Sequence, residues 1–128
     1  MSRIIRNMGE GGNWFEKELG QSRPSDTNNA SLYSPPSGII STQVTTLIIC
    51  NTTGSGANYR IFLDNDGTTY DQTTALFYDI AILANSTDLI EPNGLFMNNS
   101  SGNLAIRTDT ADALNFTAYG IEILTRQA

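Results

Sequence analysis

Asp79, Asp88, Glu91, Asp109, Asp112 and Glu122 are the carboxylates that could act in pairs as general acid and base, the arrangement glycoside hydrolysis uses. Nothing in their spacing brings two of them together, and solvated surface charge accounts for them. The chain has no histidine, which removes the usual proton carrier near neutral pH and with it Ser-His-Asp and Cys-His nucleophile systems. Metal sites built on His or on several Cys go as well. Cys50 is the single cysteine. It lies within an apolar run and reads as a buried, inert thiol, because a reactive thiolate needs an electropositive, accessible setting.

Asp64-Asn-Asp-Gly67, with Asp71 close behind, has the alternating oxygen side chains and the glycine of a calcium loop. It lacks the closing acidic residue and the flanking helices, and Asn-Asp-Gly between two apolar runs is a common turn, which is the reading preferred here. Gly54-Ser-Gly56 is too short for a phosphate cradle, and no Lys follows it. The residues therefore lead us to expect no catalytic group, no cofactor and no metal.

The elements that must position these residues are strands. At 128 residues the chain makes one domain, and its abundance of Ser, Thr, Asn and Gly suits short strands joined by many turns. Residues 43–50 and 59–63 are rich in β-branched and aromatic side chains and are read as the two arms of a central hairpin around the polar loop 51–58. In the second arm Tyr59, Ile61 and Leu63 share one face, and that face must be buried against another sheet. Residues 75–83 alternate, with Leu76, Tyr78, Ile80 and Ile82 against Phe77, Asp79, Ala81 and Leu83. Short strands follow at 89–91, 95–97 and 103–108.

The last strand, 114–123, has apolar residues at even positions as far as Ala118 and at odd positions from Ile121. A bulge near Tyr119 or Gly120 is expected to restore the facing. Together these elements predict an all-β fold: an antiparallel β-sandwich, jelly-roll-like, of seven or eight strands, over residues 31–128.

Residues 1–30 differ from the rest and are read as an extended N-terminal arm and linker. Four of the seven basic residues lie here, Arg3, Arg6, Lys17 and Arg23, balanced by Glu10, Glu16, Glu18 and Asp26, so the net charge of −6 falls on the sandwich. Ile4, Ile5, Met8, Trp14, Phe15 and Leu19 are the hydrophobes that could anchor the arm. Either they seat on a neighbouring molecule, or they fold back on their own domain. On the first reading, removing 1–30 leaves the sandwich folded and abolishes attachment. The acidic balance and scattered Lys and Arg argue against nucleic acid or an acidic membrane as partner. The chain has no run long enough to span a membrane and no signal-peptide core behind its first arginines, so it is expected to be soluble and made in the cytoplasm.

Residues 32–123 resemble small virion structural proteins of tailed bacteriophages, including those of cyanobacteria. The shared pieces are Leu32-Tyr-Ser-Pro-Pro-Ser-Gly38, Ile48-Ile-Cys-Asn-Thr52, Tyr59-Arg-Ile61, Tyr78-Asp-Ile-Ala-Ile-Leu-Ala-Asn85 and Leu114-Asn-Phe-Thr-Ala-Tyr-Gly-Ile-Glu-Ile123. Ala81 stands where relatives often carry proline, and the arm lies outside the pattern. The resemblance implies a non-enzymatic virion part, made in the host cytoplasm and carried on the particle. A capsid decoration or cement protein comes first, clamping the major capsid protein or other virion subunits through its arm, as a homotrimer by analogy. The alternatives are a tail, baseplate or fibre component whose polar loops meet a host receptor, and a carbohydrate-acting enzyme built on the carboxylates.

Overall fold

The computed structural model describes residues 14–98 and 100–124, which form nine antiparallel strands and no helix. These are β1 (Trp14–Ser22), β2 (Ala30–Tyr33), β3 (Ile39–Asn51), β4 (Ala57–Asp64), β5 (Ala75–Ile82), β6 (Thr87–Ile90), β7 (Leu95–Met97), β8 (Asn103–Thr108) and β9 (Leu114–Leu124). The larger sheet runs β1-β9-β3-β6, with β7 also on β3, and the smaller runs β2-β8-β4-β5. β6 pairs with residues 47–50 of β3 and β7 with residues 42–44. They are two pieces of one edge strand, broken where Pro92 and the left-handed Gly94 (φ 93°) interrupt the ladder. Eight strand positions in this order make a jelly roll, the architecture expected from the strand spacing.

Every connection except β4–β5 and β6–β7 passes from one sheet to the other. The expected hairpin is therefore not one: β3 pairs with β9, β6 and β7, whereas β4 pairs with β5 and β8. The two strands face each other across the core instead of lying side by side. Both carry an apolar face, and stacking two such faces removes both from water, which side-by-side pairing would not do. Val44, Leu47 and Ile49 of β3 and Leu114, Phe116 and Ala118 of β9 meet Tyr59, Ile61, Leu104 and Ile106 of the smaller sheet. Tyr59 and Phe116 close the contact edge to face at 6.1 Å.

β9 also departs from expectation, because its facing never switches. The even positions continue inward through Gly120 and Glu122, and Ile121 and Ile123 stay on the outer, half-buried face. The extra residues lie in the neighbours instead: Thr45 in β3, between Val44 and Thr46, and Leu19 in β1, between Glu18 and Gly20. Both bulges converge on Gly120. A Cβ there would collide with the Gln43 carbonyl oxygen, and it would lie 2.7 Å from Leu19 Cδ1.

Within the segment read as arm and linker, Trp14–Ser22 is a full edge strand of the larger sheet, paired along β9. Ile4, Ile5 and Met8 lie outside the described residues. Four consecutive exposed residues, 15–18, hide this strand from any alternation test. What holds it is the backbone ladder, Leu19 in the core, and an ion pair from Lys17 Nζ to Glu122 Oε1 at 3.2 Å. The stretch after β1 is clamped as well. Arg23 Nη1 donates to Thr52 Oγ1 at 2.8 Å and Asn115 Oδ1 at 3.1 Å, Nη2 donates to the Asp112 carbonyl, and Asp112 N donates to the Pro24 carbonyl at 2.9 Å.

Candidate interaction surface

Antiparallel partners share a face, so the register shows which side chains stand together outside the larger sheet. One row across it holds Glu16, Ile121, Gln43 and Phe96, and the next holds Trp14, Ile123 and Ser41. Beyond them lie Glu18, Tyr119 and Thr46, then Thr117, Ile48 and Leu89. Phe96 is 56% exposed, Leu89 62% and Tyr119 41%. Ile48, Ile121 and Ile123 between them are half-buried, and Thr117 is buried. Trp14 stands at the border of this face, and its indole Nε1 is buried with no hydrogen-bond partner among the described residues. Phe15 points the other way, towards the Glu122 side of β9, with Lys17 Nζ 6.0 Å from its ring centroid. Leu19 serves the domain's own core. Of the six hydrophobes expected to bind a partner, the structure thus places Trp14 beside the apolar face, Phe15 at the opposite side of the same edge strand, and Leu19 inside.

The smaller sheet handles its outward face differently. Phe62 points outward yet is fully buried, because the loop from Asp64 to Ala75 folds over it and Tyr70 meets its ring at 6.1 Å. The Asp64-Asn-Asp-Gly67 segment is the turn that makes this possible. Asp64 Oδ2 accepts the amides of Thr68 and Thr69 at 2.7 Å each, Asp66 Oδ1 accepts Thr68 Oγ1 at 2.8 Å, and Gly67 takes φ 74°. The carboxylates are used as turn acceptors, and among the described residues no three His, Cys, Asp or Glu side chains come together as a metal site. The 52–56 loop is likewise a built connection: Asn51 Nδ2 donates to the Ser55 carbonyl at 2.8 Å and its Oδ1 accepts Thr53 N at 3.0 Å.

Glu122, read from sequence as surface charge, is 1% exposed and lies between the sheets. Its Oε2 accepts the Tyr33 hydroxyl at 2.5 Å, and that hydroxyl also meets Thr42 Oγ1 at 2.8 Å. Burial, and then the bond to Glu122, push the Tyr33 hydroxyl far above the ordinary tyrosine range. The sequence did carry a signal for this, since Glu122 has the same parity as Leu114, Phe116 and Ala118.

Of the other carboxylates, Asp88 accepts the Tyr59 hydroxyl at 2.9 Å, and Asp79 and Asp109 line one polar cleft. Arg60 holds Asp79 below the usual carboxylate range. Burial raises Asp109, but hydrogen bonds from the Asn58 amide and side chain outweigh it and hold it low. Both carboxylates are thus occupied as acceptors for donors of the domain itself, Asp79 for Arg60 and Asp109 for Asn58.

No family model matches the chain, and no curated protein matches it. Among solved structures the chain is similar to part of a chain in infectious bursal disease virus, Gx strain, at 12% identity and a TM-score of 0.49 over 90% of this chain and 34% of that one. It is also similar to the tobacco streak virus coat protein, at 12% identity and a TM-score of 0.41 over 91% of this chain and 89% of that one. The VP2 subviral particle of infectious bursal disease virus gives 16% identity and a TM-score of 0.43 over 87% of this chain and 32% of that one. The chain thus spans about a third of the length of the bursal disease virus chains. At this level of likeness the surfaces, rather than the neighbours, carry the functional reading.

Proposed function

We propose that this chain is a non-enzymatic structural protein of a virion, and specifically a capsid decoration or cement protein. It attaches through the outer face of the larger sheet, together with the segment that leads into β1. The observation that carries this reading is the group of exposed Phe96, Tyr119 and Leu89, with half-buried Ile121 and Ile123 beside them, on the outer face of the larger sheet, whereas Phe62 outside the smaller sheet is covered by its own loop. Exposed apolar residues gathered on one face mark an interaction surface, and aromatic residues there, with Glu16 and Glu18 along the β1 edge, suit a protein partner.

Trp14 ends β1 beside this face, and Ile4, Ile5 and Met8 precede it in sequence, so they extend the same contact onto a neighbouring subunit. The resemblance of residues 32–123 to virion proteins of tailed bacteriophages supplies the partner class, the major capsid protein, and a homotrimer around a local threefold position. Reconstruction of the particle that carries this chain tests the proposal. The expected result is jelly-roll density on the head, with the larger sheet turned towards the capsid lattice. Density confined to the tail would overturn the capsid assignment, and purified particles without the chain would overturn the virion reading altogether.

A further inference from the structure

The outward side of the smaller sheet holds a cleft of about 230 Å³ lined by Thr27, Arg60, Asp79, Arg107, Thr108 and Asp109, which the attachment surface does not use. Arg60 and Arg107 are direct cross-strand partners on β4 and β8. They are the only basic residues of the described chain after Arg23. Like charges placed opposite each other repel unless anions use them, and here the two guanidinium groups are used differently.

Arg60 is held by a carboxylate and a ring. Opposite it β5 bulges, so that Tyr78 and Asp79 together face one residue, and Asp79 takes the left-handed φ of 54°. Asp79 accepts Arg60 Nε at 2.7 Å and Nη2 at 3.2 Å, and the Tyr78 ring centroid lies 4.0 Å from the guanidinium carbon. Arg107 is anchored at one point only, its Nε donating to the Thr27 carbonyl at 2.9 Å. Its Nη1 and Nη2 have no hydrogen-bond partner among the described residues. A guanidinium fixed through Nε with its terminal edge free presents two parallel N–H donors, the geometry that fits a planar carboxylate.

The neighbours narrow the ligand. Asp79 and Asp109 are ionised acceptors in the same cleft, so a doubly charged anion such as phosphate meets repulsion there. A ligand with one negative charge and several hydroxyl donors meets a partner for each group. The volume lies below the range of about 300–1,000 Å³ typical of larger ligands, and it suits a single ring.

We propose that this cleft binds a hydroxylated monocarboxylate, the chemistry of a uronic acid residue, with the carboxylate on the Arg107 fork and hydroxyls donating to Asp79 and Asp109. The inference is independent of the virion assignment, since it rests on the other sheet.

Amide-shift titration of the isotope-labelled full chain tests it, with sodium glucuronate, a glucuronate-terminated oligosaccharide, glucose, acetate and inorganic phosphate as probes. The expected result is saturable shifts around Thr27, Tyr78 and Asp109 with glucuronate or the oligosaccharide. Binding of glucose, acetate and phosphate is expected to be about tenfold weaker or more. Tighter binding of the oligosaccharide than of the free sugar assigns the ligand to a polysaccharide end, and equal binding assigns it to the free acid. Arg107→Lys keeps the charge and loses the fork, and it should weaken glucuronate binding by about tenfold with the remaining amide spectrum unchanged. If that variant does not fold, the comparison of probes on the unaltered chain still decides. Absence of saturable shifts with both uronates, phosphate or acetate binding as tightly as glucuronate, or an Arg107→Lys protein of undiminished affinity would each overturn the proposal.

Discussion

The two sheets of this jelly roll treat their outward-facing aromatic residues in opposite ways, although Leu76 and Ile80 of edge strand β5 also stay exposed on the smaller one. The smaller sheet places Phe62 outward and then buries it completely under the loop that Asp64, Gly67 and Tyr70 shape. The larger sheet leaves Phe96 and Tyr119 open to solvent, with Ile121 and Ile123 half-buried beside them. The difference separates residues that stabilise the domain from residues left over for a partner. A covered aromatic contributes its burial to folding, whereas an open one contributes little until something else covers it.

The largest effect expected from this comparison concerns β1. Deleting residues 1–30 removes the edge strand, Leu19 from the core and the Lys17 partner of buried Glu122. Loss of a cooperative unfolding transition is therefore expected, contrary to the independence that the sequence suggested. Deleting only residues 1–13 should keep the transition, and scanning calorimetry of the two truncations distinguishes them.

Next in size, Phe62→Ala should cost about 3–5 kcal/mol in denaturant unfolding, as buried aromatic truncations do. Phe96→Ala should stay within about 0.5 kcal/mol. Equal losses at the two sites would break the contrast between the faces.

A smaller effect follows from pH. Burial, and then the bonds to Glu122 and Asp88 respectively, raise the Tyr33 and Tyr59 hydroxyls above the ordinary value. A raised folded-state pKa means that the folded chain holds protons the unfolded chain releases. The stabilisation is complete below about pH 10, where unfolded tyrosine titrates, and is lost as pH climbs further. Denaturant midpoints should therefore fall above about pH 10, and Tyr33→Phe should flatten that fall while lowering the neutral-pH unfolding free energy by about 1.5–3 kcal/mol, the worth of a hydrogen bond to a charged group.

Much of the strand content was legible because alternation is a local property. β3, β4, β8 and β9 were all visible in their β-branched and aromatic runs, and so was the sandwich they build. Pairing was not legible, because two apolar strands joined by a short loop can lie side by side or face to face. Only the total burial of both sheets decides between these. β1 was hidden because 15–18 are all exposed, and an edge strand held by backbone bonds and one ion pair leaves no periodic trace.

The sites show the same limit. Asp79 sits in a run that reads as simple alternation, yet a bulge places it and Tyr78 together against Arg60. Arg107 comes beside them from a strand far along the chain. Glu122 was legible in principle, by its parity with Phe116 and Ala118, but a buried carboxylate needs partners that only the fold reveals.

The central claim is that the outer face of the larger sheet is the attachment face, and one measurement addresses it directly. The double variant Phe96→Glu, Tyr119→Lys, whose lysine stands opposite Glu18, would be compared with the unaltered chain for occupancy on particles assembled without it. The account predicts a protein that unfolds with an unchanged midpoint and leaves the particles bare, because two charges in an apolar contact cannot be desolvated without partners across it. Full occupancy by the variant would contradict it.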